Sequence, residues 1–220
     1  MRVLFLLDID GTLINTSGVG RRAAEKTVFE LTNEKVPLSA KDVAGRTDLF
    51  IFNQILEKLS SLNGYNINFS EIKNLYLKNL RLEVEKKSIN SLPGVNEFIK
   101  DIENNSKHVP ALLTGNFEEG AQIKLGQRFQ SFEFGAYGDL TQDRNKLMHF
   151  AIDEYQKKYY TSPQKIIVVG DTPFDIECAR AGGAFAVAVT TGPYTADELS
   201  AADMVLDSLE DWPKIMKAVF

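Results

Sequence analysis

Short apolar runs recur along the chain, at Val3–Leu7, 109–113, 166–169, 184–189 and Met204–Leu206. Each is brief and ends in turn-forming or polar residues, which predicts buried strands rather than helices. Most of the intervals between them carry apolar residues at helical spacing. Strands that are apolar throughout and alternate with helices predict an α/β fold, a parallel sheet with helices on both faces.

The first interval departs from this rhythm. Between Leu13 and Val109 the pattern gives helices over about 21–31, 48–62 and 70–87, a fourth after Pro93-Gly94, and no strand. In the second, Leu49, Phe52, Ile55, Leu56 and Leu59 repeat at helical spacing, and Ser70 is the expected N-cap of the third. Residues 17–88 therefore read as an all-helical module inserted after the first strand. Residues 1–16 and 89–220 form the sheet-bearing core.

Composition narrows the functional class. A chain of 220 residues suffices for one large core with a modest insertion. A net charge of −5 without a Lys/Arg stripe gives no nucleic-acid footprint. Cys178 is the single cysteine, so no intrachain disulfide forms, which suits a reducing compartment. The first apolar run is broken by Asp8 and is too short for a signal or membrane segment, so a cytoplasmic protein without membrane contact is expected.

Chemistry enters at the strand ends. The first strand runs into "DIDGT", the second into "TGN" and the third into "GDTPFD". Ligands of open parallel sheets bind beyond the carboxyl ends of the strands. If these strands are neighbours, Asp8, Asp10, Thr114, Asp171 and Asp175 meet at one rim. That many carboxylates need a cation, and oxygen ligands of this kind suit a hard ion such as Mg²⁺ that also accepts a substrate phosphate. One carboxylate can act as a nucleophile and a second as general acid and base. Gly11 permits a turn directly after the acids. The Thr114 hydroxyl and the loop N–H groups are donors for phosphate oxygens.

"DIDGT", "TGN" and "GDTPFD", in this order and with a helical insertion after the first, resemble the haloacid dehalogenase-like (HAD) hydrolases, and among them the phosphoglycolate-phosphatase-like subgroup. The resemblance implies a Rossmann-like core, a helical cap, and a Mg²⁺-dependent phosphatase of a small phosphomonoester that works through an aspartyl-phosphate. It implies Asp8 as nucleophile and Asp10 as general acid and base. Asp8, Asp171 and the Asp10 backbone carbonyl would hold the metal, with Asp175 behind them or bridging through water. Thr114, Gly115 and Asn116 would hold the phosphoryl group. The alternatives are a phosphosugar mutase of the same superfamily, for which the insertion shows no obvious His-and-Lys pair, or a non-catalytic binding relative. Asp10 and the "GDTPFD" acids argue against a dehalogenase, which needs no metal. The expected partner is a small phosphorylated metabolite, and the chain is a monomer or homodimer.

One family motif is missing: no Lys-Pro precedes the third sheet motif, and "GDLTQDRNKLMHFAIDEY" offers Arg144 and Lys146 instead. At 100° per residue, Arg144 centres the face that carries Leu147, Met148, Ala151 and Tyr155, whereas Lys146 falls opposite. Arg144 is therefore the expected stabiliser of phosphoryl charge. "AGRTD" at 44–48 reads as a turn between helices, and the family resemblance turns it toward the site, where Arg46 would meet an anionic part of the substrate. His108 and His149 read as surface residues and Cys178 as core filling. Phe129, Phe132, Phe134 and Tyr137 read as core or seam, and "TADE" at 195–198 as a capping box.

Overall fold

The computed structural model describes residues 2–219. Positions 1 and 220, the outer limits of the expected core, lie outside the described residues. The strands are β1 (Val3–Leu7), β2 (Ile14–Asn15), β3 (Asn90–Ser91), β4 (His108–Leu113), β5 (Gly135–Ala136), β6 (Lys165–Gly170), β7 (Phe185–Val189) and β8 (Met204–Leu206). Six of them form one sheet in the order β5-β4-β1-β6-β7-β8, parallel at every pairing.

Strand β1 lies between β4 and β6, with Leu7 opposite Leu112 on one side and Val169 on the other. Its side chains alternate between two cores. Val3, Phe5 and Leu7 pack with Val95, Phe98 and Ile102 of α5 (Val95–Glu103) and with Ala121 and Leu125 of α6 (Glu118–Leu125). Leu4 and Leu6 pack on the other face with Leu147, Met148, Ala151 and Tyr155 of α7 (Leu147–Tyr159) and with Ile176 and Ala179 of α8 (Pro173–Ala181). Both faces are thus dry, which is why the strand is apolar throughout. The C-terminal α9 (Pro213–Val219) completes the first layer through Ile215 and Val219.

Between β2 and β3, which pair antiparallel as a short ribbon, the chain forms α1 (Val19–Thr32), α2 (Ala40–Val43), α3 (Asp48–Asn63) and α4 (Phe69–Glu85). These helices bury their own cluster of Val19, Ala23, Val28, Phe52, Ile55, Ile72, Tyr76 and Leu80. Phe117, at the N-terminus of α6, inserts into that cluster and stacks on Phe52 at 5.9 Å. Burying such a ring contributes about 2–3 kcal/mol, so the helical segment is seated on the sheet-bearing part and not merely tethered to it.

Several local expectations change. Asn68, not Ser70, caps α4, its carboxamide oxygen accepting from Ser70 N–H at 2.8 Å. The expected helix around Arg144 begins later: residues Arg144–Lys146 form a 3₁₀ turn and α7 starts at Leu147. His108 is not on the surface. Strand β4 buries it to 9 % exposure, with its ring centroid 5.2 Å from that of Phe5 in an edge-on contact. Strands β2, β3 and β5 were invisible as apolar runs because each has two residues. His149 is exposed, and Cys178 is buried with its thiol against the Arg144 carbonyl. Burial pushes the Cys178 thiol up to about 11, so it is an inert packing group. Phe132 and Tyr137 are core residues with Phe129 packed more loosely against their cluster, and Phe134 packs against the core on the other face of the sheet. Among the described residues no helix is long and apolar enough to cross a membrane.

Candidate active site

The three central strands β4, β1 and β6 end side by side, and the residues just past them line a cavity of about 340 Å³. Its floor holds Asp8, Asp10, Thr114, Gly115, Asn116, Arg144 and Asp171, and its roof holds Arg21, Arg46, Phe52 and Tyr76 from the helical segment. Asp175 stands behind the floor, on the first turn of α8.

Asp8, Asp171 and Asp175 bring carboxylate oxygens within 4.8 Å of one another, all three residues buried. Two features hold this crowding in place. Thr172 caps α8 in a reciprocal box, its N–H and hydroxyl donating to Asp175 Oδ2 at 3.0 and 2.6 Å. The backbone also makes room for Asp171. Gly11 has φ +82°, and a Cβ there would stand 2.3 Å from Asp171 Oδ2. Only glycine fits that turn.

Arg144 is the cation of this cluster. Its Nη2 donates to Asp8 Oδ1 at 2.8 Å and to Asp175 Oδ1, and the side chain is 7 % exposed. Its Nε is buried and has no partner among the described residues. Lys146, two residues on, is exposed. Burial pushes the Asp8 carboxyl up to about 7; Arg144 opposes the shift, and Asp175 and Asp10 add to it. Asp171 is raised well above the ordinary carboxylate range by burial and then by Asp8 and Asp175. One guanidinium therefore does not balance three acids. Buried oxygens with a deficit of positive charge fit a hard dication.

Asp10 has a different setting. Its carboxylate turns away from the other acids and accepts from Thr16 Oγ1 at 2.9 Å, Asn116 Nδ2 at 2.8 Å and Lys124 Nζ at 2.9 and 2.7 Å. Burial opposes ionisation, but Lys124, Asn116 and Thr16 outweigh it and hold the carboxyl below its usual value. Sequence reading missed Lys124. In the fold Lys124 shares the buried face of α6 with Gly120, Ala121 and Leu125, a burial that depends on what packs over the helix and not on its own spacing.

The "TGN" residues divide their work. The Asn116 carboxamide is used at both ends, its nitrogen on Asp10 and Thr114 and its oxygen on Lys124. The Thr114 oxygen accepts from Asn116 N–H at 3.3 Å and Nδ2 at 2.8 Å, so its own proton remains to be donated. Gly115 is a seam: a Cβ would lie 2.0 Å from the Arg46 carbonyl, and its own carbonyl accepts from Asp48 N–H at 2.6 Å. "AGRTD" is indeed a turn, with Gly45 at φ +74° and the Thr47 hydroxyl capping α3. It is also wedged into the cavity wall, where the Arg46 guanidinium lies 4.9 Å from the Phe50 ring and 4.7 Å from the Phe174 ring.

Ion pairs span the two parts on either side of the cavity, Lys41 with Glu198 at 2.6 Å and Lys73 with Asp139 at 2.7 Å. Glu198 is the acid of the "TADE" box. It still accepts from Thr195 N–H at 2.9 Å, over a turn rather than a helix.

A parallel sheet with paired aspartates at the end of its central strand, and acids and a hydroxyl at the neighbouring ends, defines a class of hydrolases. The chain belongs to the haloacid dehalogenase-like hydrolase family, whose model matches residues 4–189. It is 23 % identical over 212 residues to a bifunctional riboflavin kinase/FMN phosphatase of Arabidopsis thaliana, covering 94 % of this chain and 53 % of that protein. The chain thus spans about half the length of that curated relative. Its fold is similar to CbbY from Rhodobacter sphaeroides, solved in complex with phosphate, with a TM-score of 0.75, 15 % identity and 96 % of each chain covered. It is equally similar in fold to β-phosphoglucomutase from Clostridium difficile, with a TM-score of 0.75, 18 % identity and coverage of 99 % of this chain and 96 % of the other.

Proposed function

We propose that the protein is a Mg²⁺-dependent phosphatase that hydrolyses a small phosphomonoester through an aspartyl-phosphate on Asp8. The observation that carries the reading is the buried pairing of Asp8 with Arg144 beside Asp171 and Asp175, at the floor of a cavity whose wall carries Arg46. Helices α1–α4 are read as a cap, and the residues outside 17–88 as the catalytic core.

Asp8 Oδ attacks phosphorus in line, and the bond from phosphorus to the ester oxygen breaks. Arg144, with the buried Nε and the rest of its planar fork, stabilises charge on the phosphoryl oxygens. The Thr114 hydroxyl and the N–H of 115 donate to them as well. Asp10, ionised at rest, takes up a proton from solvent as the ester binds and gives it to the departing alkoxide, so an alcohol leaves. Water then attacks phosphorus and gives a proton to Asp10. The phosphorus–Asp8 bond breaks with its electron pair returning to the carboxylate, which frees inorganic phosphate. Asp8, Asp171 and the Asp10 carbonyl would hold Mg²⁺, with Asp175, whose oxygens are engaged by Arg144 and Thr172, behind them. The ion supplies charge neutralisation between the acids and a phosphate dianion.

A mutase reading needs a polar cap residue that holds a sugar intermediate for a second transfer. Beside Asp10 the roof presents Gly20, where a Cβ would sit 3.3 Å from Lys124 Nζ and 3.4 Å from the Tyr76 hydroxyl. The absent side chain favours hydrolysis. The test is a panel of phosphomonoesters assayed with Mg²⁺ and with excess EDTA, for wild type and Asp8→Asn. Release of phosphate that needs Mg²⁺ and Asp8 is expected. Turnover retained in EDTA or in Asp8→Asn would refute the mechanism.

A further inference from the structure

We propose that Lys124 is a positioning residue for the second half of the reaction, fixing the Asp10 carboxylate to take the proton of the attacking water. The proposal rests on the acid–base reading of Asp10 given above. Lys124 lies on α6, outside the "DIDGT", "TGN" and "GDTPFD" motifs.

Its geometry separates a positioning role from substrate binding. An ammonium has three protons to donate. Lys124 Nζ meets Asp10 Oδ1 at 2.9 Å, Asp10 Oδ2 at 2.7 Å and Asn116 Oδ1 at 2.5 Å. All three are committed within the protein, and the side chain is 5 % exposed. The same Asn116 donates from its nitrogen to Asp10 Oδ2 at 2.8 Å. Lys124, Asn116 and Asp10 thus close a triangle in which each pair is bonded, so the carboxylate plane is fixed and not merely neutralised. Thr16 Oγ1 adds a fourth hydrogen bond to the carboxylate, on Oδ1 at 2.9 Å. The surroundings are built to admit the lysine tip, since any side chain at Gly20 of α1 would crowd it.

In the step concerned, water oxygen bonds to phosphorus and its proton passes to Asp10. The phosphorus–Asp8 bond breaks and phosphate leaves. Only a carboxylate already ionised and correctly turned accepts that proton. The first half-reaction with a good leaving group does not need Asp10. Loss of Lys124 should therefore slow breakdown of the phosphoenzyme and spare its formation.

The experiment is steady-state and rapid-quench kinetics of Lys124→Met with p-nitrophenyl phosphate and Mg²⁺, with Lys124→Gln as a second variant should Met impair folding, and thermal unfolding recorded for each. The expected result is kcat lowered by about 10–100-fold, within the range of general acid–base contributions. kcat/KM stays within about threefold, and a burst of p-nitrophenol appears as phosphoenzyme accumulates. The Asp10→Asn/Lys124→Met double variant should lose no more kcat than Asp10→Asn alone. Equal losses in kcat and kcat/KM, unchanged kinetics, or additive losses in the double variant would each overturn the proposal. If Asp10→Asn alone leaves kcat intact, the acid–base reading of Asp10 fails and carries this proposal with it. That failure is recognisable because Lys124 is untouched.

Discussion

Removing Arg144 separates charge stabilisation from simple structural support. Two unit charges about 3 Å apart attract by about 5–6 kcal/mol at an effective dielectric of about 20. Arg144 makes such contacts with two acids that are 8 % and 3 % exposed. Much of this gross attraction offsets desolvation, and truncating one partner of a buried pair costs about 3–5 kcal/mol when the other stays charged. Here the acids have another way out. Asp8 already sits at about 7, and without the guanidinium that opposes its shift it rises further and takes up a proton. Arg144→Met should therefore fold, with a Tm loss smaller than an unpaired charge would give. In the metal-free variant Asp8 is protonated, and on the proposed mechanism the transition state lacks a cation. Loss of one preorganised charge stabiliser costs about 10²–10³ in kcat, or about 2.7–4 kcal/mol. The assay is kcat and kcat/KM against pH with p-nitrophenyl phosphate and saturating Mg²⁺. The acidic limb should move to higher pH in Arg144→Met, whereas Lys146→Ala stays close to wild type. Arg144→Lys keeps the charge but loses the planar fork, and should fall between. A kcat for Arg144→Met within threefold of wild type, or a comparable loss in Lys146→Ala, would refute the assignment.

Three further outcomes follow from the same geometry. Asp8 and Asp171 are both raised by burial, so the folded metal-free chain binds protons that the unfolded chain has released; its stability from these groups is full below the ordinary carboxylate range and is lost as pH rises through about 7. Mg²⁺ should then raise Tm more at about pH 8 than at about pH 5, and an equal rise at both would sink the cluster as its site. Gly11→Ala puts a Cβ against Asp171 at a left-handed φ, and should abolish that Mg²⁺-dependent rise in Tm as well as turnover. Arg46→Ala should raise KM for esters with an anionic tail and leave kcat for p-nitrophenyl phosphate nearly unchanged; equal losses on both would assign Arg46 to packing between Phe50 and Phe174.

The acids were legible in the sequence and the cations only partly so, for a physical reason. Asp8, Asp10, Thr114 and Asp171 follow strands whose apolar runs announce them, and a parallel sheet aligns strand ends by its own register. Helical positions carry no such index. Arg144 could be ranked above Lys146 because the side chains that follow fix one buried face. The 3₁₀ turn nonetheless moved the start of α7 past both residues. Lys124 escaped notice, and Asp48 read only as part of the "AGRTD" turn, because their roles depend on how α6 and the helical segment meet, a contact between residues far apart in sequence. Asp48 accepts from Phe117 N–H at 2.9 Å, and burial pushes its carboxyl up to about 6. No local period reports that approach.

The charges at the site account for the placement of both cations. Asp8, Asp10, Asp171 and Asp175 face Arg144 and Lys124, so the floor stays two charges negative when every acid is ionised. A phosphate dianion cannot settle there unaided, and one dication removes the deficit. The two side-chain cations are not interchangeable in this balance. Arg144 lies among the clustered acids, where phosphoryl charge would develop, while Lys124 is spent on Asp10 and has no proton left for substrate. Exchanging their chemistries tests this division. Arg144→Lys with Lys124→Arg preserves net charge, yet a planar fork at 124 cannot reproduce the three contacts that the compact ammonium makes with Asp10 and Asn116. The double variant should lose both half-reactions, seen as a fall in kcat/KM as well as kcat. A double variant with wild-type kcat/KM would show that charge alone, and not the shape of each cation, is what the site requires.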